Sequence, residues 1–150
     1  MYFLMIALLM LLLPVASIVG ESGLRPDLAV AGKWFVFWMV GARLLAAGLR
    51  QFLQPRYTAE TILGIEGDAN LVVVRELGFA NLALGCGGIA TLAAPSWTPP
   101  RALVGGIFYA AAGIQHALQS GRNKLESFAM ATDLFAALVL LGFFIWTLRF

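Results

Sequence analysis

The chain has 150 residues, a formal net charge of +2, a hydrophobic content of 61% and a mean hydropathy of +0.87, with charged residues held to 12%. Soluble domains carry about 25% charged residues and about 45–50% apolar ones, so this composition speaks against a soluble domain. The basic residues are scattered, which excludes a nucleic-acid footprint, and the lone Cys86 excludes an intrachain disulfide.

A hydrocarbon core about 30 Å thick takes about 20 mostly apolar residues to cross as a helix. Five segments qualify, roughly 2–19, 34–53, 71–94, 102–119 and 128–148. The length fits one domain, and the expected fold is an all-α integral membrane helix bundle over 1–150, with five transmembrane helices. The first segment lacks a basic n-region and is longer than a signal-peptide h-region; it reads as a retained anchor. Its Leu, Met and Ile residues occur on every face, which places it at the lipid-facing edge.

Breakers occupy the connections. Residues 20–33 hold Gly23 and Pro26, and 54–70 hold Pro55, Gly64 and Gly67. Pro95, Pro99 and Pro100 stiffen the third connection, and Pro suits the first turn of a helix, so the fourth helix is expected to start near Pro100. Asn123 followed three residues later by Glu126 predicts a capping box for the fifth. Small residues recur at helical spacing: Gly41 and Gly48; Gly78, Gly85 and Gly88, with Asn81; Gly106, Ala110, Gly113 and Ala117. Such stripes let membrane helices approach closely, so the last four segments form the expected core.

Side A is the end holding the N-terminus and the second and fourth connections; side B is the other. Trp34, Trp38, Trp97 and Trp146 fall near side B and read as an interfacial aromatic belt. Arg50, Arg56, Arg75, Arg122 and Lys124 on side A face Arg25, Lys33, Arg101 and Arg149 on side B. That single-residue excess sets side A toward the cytoplasm.

Charges within spanning segments are costly, at about 2.5–3.5 kcal/mol each at a helix centre on insertion scales. Arg43 and Arg50 share a face of the second segment, Arg75, Glu76 and Asn81 open the third, Gln115 and His116 end the fourth, and Glu126 and Asp133 lie on one face of the fifth. At about 1.5 Å per residue, all of these except Arg43 fall in the A-side half. Pairing by depth predicts Arg43 with Asp133, and Arg50 with Glu76 or Glu126, around a polar cavity opening toward side A. Its candidate ligand-binding residues are Arg43, Arg50, Glu76, Asn81, His116 and Asp133, with Tyr109 extending the cavity inward.

Structural readings stand beside these. Arg43–Asp133 also suits a register-fixing ion pair, and Arg50, Arg56, Arg122 and Lys124 suit snorkelling to lipid head groups. His116 serves equally as a hydrogen-bonding or a titrating group, and Cys86 as a small apolar residue. A single His excludes bis-histidine haem, and the lone Cys excludes iron–sulfur and structural zinc sites. Arginines beside Glu76, His116, Glu126 and Asp133 argue against a metal there. No nucleophile-elbow sequence accompanies Ser120 or Ser127.

Three stretches, 48–55 (GLRQFLQP), 75–82 (RELGFANL) and 113–116 (GIQH) followed by Gly121-Arg122-Asn123, resemble the small bacterial DoxX-like membrane proteins and a related uncharacterised membrane-protein family. The likeness runs from Trp34 to the end, and the first segment is additional to it. It implies a four-helix core and a bacterial inner-membrane location. One DoxX-family name is attached to a thiosulfate:quinone oxidoreductase subunit, but no catalytic residues transfer.

Three functions follow as expectations. The first is binding of an amphiphilic small molecule, a quinone or a lipid, with His116 and Glu76 placed to exchange protons with a head group. The second is a non-catalytic accessory subunit or scaffold, partnered by a larger membrane complex or by further copies of itself. The third is a small proton- or solute-coupled transporter using Glu76 and Asp133, ranked last because no broken helix or inverted repeat is evident.

Overall fold

The computed structural model describes residues 2–25, 27–121 and 123–149, with Tyr2 by its backbone alone. The readings placed on Pro26 and Arg122 lie outside the described residues. Among the described residues every regular element is helical: α1 (residues 2–22), α2 (Leu28–Leu53), α3 (residues 55–62), α4 (Asp68–Ala90), α5 (Thr98–Leu118) and α6 (Lys124–Thr147). Helices α1, α2, α4 and α6 are long and apolar enough to cross a membrane. Helix α5 matches them in length, but Pro99, Pro100 and Arg101 at its start and Gln115 and His116 near its end dilute its hydropathy.

Helices α2 and α6 start before their apolar segments, each at a polar N-cap, whereas α4 ends at Ala90, short of 94. Helix α2 starts at Leu28 rather than 34, where the Asp27 carboxylate accepts the Ala29 N–H at 2.8 Å. The 54–70 connection is not irregular throughout, since Pro55 opens α3. Helix α5 begins at Thr98, with Pro99 and Pro100 in its first turn, where a missing N–H has no cost. The expected capping box opens α6: Asn123 Oδ1 accepts the Glu126 N–H, and Glu126 Oε2 accepts the Asn123 N–H, both at 2.9 Å.

Two antiparallel hairpins, α2 with α4 and α5 with α6, build the bundle. The predicted glycine stripes sit at both contacts. A Cβ on Gly88 would lie 2.4 Å from the Gly41 nitrogen, and one on Gly48 would lie 2.7 Å from the Leu82 nitrogen. In the second hairpin, Gly106 and Gly113 admit the side chains of Leu141 and Leu134. Between the hairpins Met39, Val40, Tyr109, Ala136 and Leu140 form a buried core.

Helix α1 leans on α2 and is more than an edge. Ile6, Met10 and Pro14 are buried while much of its surface is exposed. Near side B, Lys33 pairs with Glu21, Trp34 Nε1 donates to Glu21 at 2.8 Å, and Trp38 Nε1 donates to Ser17 at 2.9 Å. Two of the predicted belt tryptophans therefore tie α1 to α2.

Candidate functional site

Three helices carry π-helical runs, at Leu8–Leu12 in α1, Val36–Ala42 in α2 and Tyr57–Ile62 in α3. Such segments are rare and gather at functional sites. Here residues in or next to all three runs line one cavity of about 610 Å³ in the A-side half of the bundle. Leu9 comes from the first run, Arg43 directly follows the second, and Thr58 and Ile62 come from the third. The volume falls within the range of small-molecule sites, about 300–1,000 Å³.

Most of the wall is aliphatic and aromatic, supplied by Ile6, Leu44, Ala47, Leu77, Phe108 and Ala112 among others. The polar groups sit in discrete clusters. Arg43 Nη2 donates to Asp133 Oδ1 at 2.6 Å and to Thr132 Oγ1 at 3.3 Å, while Nη1 donates to Met10 Sδ at 3.3 Å. The guanidinium lies 4.8 Å from the centroid of the Tyr109 ring, within cation–π range. Only 8% of Arg43 and 6% of Asp133 remains exposed. A buried ion pair persists only when further hydrogen bonds and good geometry offset its desolvation; Thr132 and Tyr109 help to provide them.

The backbone explains the position of Tyr109. The Arg43 N–H donates to Trp38 O, five residues back, and α-helical spacing resumes from there. This change of register leaves a carbonyl short of a helical donor, and the Tyr109 hydroxyl donates to the Met39 carbonyl. The same tyrosine thus supports both the distorted turn and the guanidinium that follows it.

A second polar cluster joins α2 to α4. Asn81 Nδ2 donates to Gln51 Oε1 at 2.7 Å, and both side chains are buried. Asn81 Oδ1 has no hydrogen-bond partner among the described residues. Arg50 is half-buried, with its guanidinium 5.0 Å from the Tyr57 ring centroid. His116, partly buried, and the more exposed Gln115 complete the α5 wall.

Of the six candidate residues, Arg43, Arg50, Asn81, His116 and Asp133 line this cavity. Glu76 does not: it is exposed on the outer face of α4. The expected partners of Arg50 also require correction, since it stacks on Tyr57 while Glu126 closes the α6 cap and accepts from Gln119 at 3.1 Å. The cavity wall is more apolar than the sequence reading implied. Sequence reasoning missed Gln51, Met10, Thr58 and Thr132. For Gln51 a signal existed, because it stands one helical turn beyond Gly48 on the small-residue face. Among the described residues no group of three His, Cys, Asp or Glu side chains is placed to hold a metal ion.

Searches for similar proteins found no matching family model, curated protein or solved structure, so the site is interpreted from its own geometry.

Proposed function

We propose that the chain is an integral membrane protein of five spanning helices, and that its cavity holds a neutral amphiphile, an isoprenoid quinone or a lipid. The DoxX-like resemblance belongs to this reading, with α2, α4, α5 and α6 as the core, side A toward the cytoplasm and the bacterial inner membrane as the location. One observation carries the proposal: a largely apolar cavity of about 610 Å³ whose deepest charges, Arg43 and Asp133, neutralise each other. A site with no net charge in its depth favours a neutral head group over an anion. Gln51 and Asn81 add amide groups, and the apolar walls suit a tail.

Thermal unfolding in a mild detergent tests the reading, with an isoprenoid quinone or a phospholipid added at about 100 times its Kd. One of the two is expected to raise Tm by about 5–10 °C. Ala47→Trp, which fills the cavity and keeps both residues of the ion pair, is expected to remove the shift while the protein stays folded. No shift with either compound in the unaltered protein would overturn the proposal.

A further inference from the structure

Helix α4 has two distinct faces. Val74, Gly78, Asn81, Gly85 and Gly88 are buried, whereas Val72, Glu76, Phe79, Ala83 and Cys86 are exposed. Val73, Arg75, Leu77 and Ala80 are exposed beside them, so the outer face of α4 is broad. The line from Val72 through Glu76, Phe79 and Ala83 to Cys86 keeps to one strip of that face and is the seam a packed second helix would follow. Ala83 and Cys86 are small enough for close approach. Arg75, also exposed, flanks Glu76 at the edge of the seam.

Neither Arg75 nor Glu76 has a hydrogen bond or ion pair among the described residues. Glu76 stands about 12 Å along the helix from Asp68, beyond the apolar run 71–74. Within a bilayer it would present a carboxylate to hydrocarbon, a placement that membrane proteins reserve for paired or protein-covered positions. A second copy of the same helix supplies the missing partner. Across a two-fold axis parallel to the bundle the two α4 helices run side by side in the same direction, and Glu76 falls on the seam with Arg75 beside it. Each arginine then faces the other copy's glutamate, so the surface is self-complementary, as a two-fold interface requires.

We propose that the outer face of α4 is a self-association surface, on which two copies pair about a two-fold axis with Arg75 of each meeting Glu76 of the other. The inference rests on the membrane reading above and is independent of what the cavity binds.

Cys86 is the only cysteine in the chain and lies on this seam, where facing Cα atoms about 6 Å apart suit a disulfide. Oxidation of isolated membranes with copper phenanthroline is expected to give a band of twice the monomer mass, absent in Cys86→Ser. A cysteine introduced on the outer face of α5 as Val104→Cys, in the Cys86→Ser chain, is expected to stay uncross-linked. Glu76→Arg sets like charges together and is expected to lower the yield at least about tenfold; adding Arg75→Glu restores it. Absence of the band, or a band indifferent to both charges, overturns the pairing. Alkaline carbonate extraction of the same membranes separates the two failures. A chain released to the supernatant refutes the membrane reading and this interface with it, whereas a retained chain that does not cross-link refutes the interface alone.

Discussion

The two hairpins both close on glycine, yet they differ in what the glycine meets. In α2/α4 a Cβ on Gly85 would lie 2.6 Å from the Leu45 nitrogen and 2.9 Å from its Cα, all backbone. In α5/α6 a Cβ on Gly113 would lie 2.7 Å from Leu134 Cδ2 and 2.8 Å from Cγ, both side-chain atoms. Backbone has no alternative rotamer, whereas a leucine can turn aside. The first hairpin is therefore a rigid wall and the second an adjustable one. The cavity lies between them, crossed by the ion pair Arg43–Asp133.

The largest effect is expected where the hairpins meet. Asp133→Asn leaves the Arg43 charge buried without its partner, which costs about 3–5 kcal/mol. Replacing both residues, as Arg43→Met with Asp133→Leu, is expected to recover most of that stability in thermal unfolding. A single variant as stable as the parent would mean the pair does not join the hairpins.

Next come the glycines. Gly85→Ala is expected to cost about 1–3 kcal/mol through overpacking, and Leu45→Ala gives no relief because the clash is with backbone. Gly113→Ala is expected to cost under about 1 kcal/mol and to be partly relieved by Leu134→Val. If the two glycines respond alike, the contrast between rigid and adjustable walls is wrong.

The smallest effect is expected at Arg56, which pairs with Glu60 at 2.9 Å and with the first residue of α4, Asp68, at 2.7 Å. Hydrogen bonding first to Glu60 and then to Asp68 raises its guanidinium pKa further above the ordinary arginine value, so it stays charged throughout the working pH range. The pairs are well exposed, and exposed pairs contribute little and fade with salt. Arg56→Gln is expected to leave Tm within error of the parent at physiological ionic strength.

The sequence made some of this legible and not the rest. Glycine spacing marked the touching faces of α2, α4 and α5, and Asn123 with Glu126 marked the start of α6. Arg43 and Asp133 were matched by depth alone, as the only charges that deep in facing helices. Depth misled for Glu76, because it ignores rotation about the helix axis. At about 100° per residue Glu76 stands roughly opposite Gly78 and Gly85, so the glycine stripe already pointed it outward. Helix α1 was legible only as apolar, since a helix without a polar face does not reveal which side is buried; Ile6 and Met10 went unrecognised for that reason. The π-helical runs have no marker in the sequence, and they set where Arg43 and Thr58 enter the cavity.

Native mass spectrometry of the protein taken from its own membranes in a mild detergent, with the released molecule identified, tests the central claim most directly. The account predicts one quinone or lipid per chain, retained by the unaltered protein and absent from Ala47→Trp. An unaltered chain that emerges folded and empty, or bound only to another protein, would contradict it.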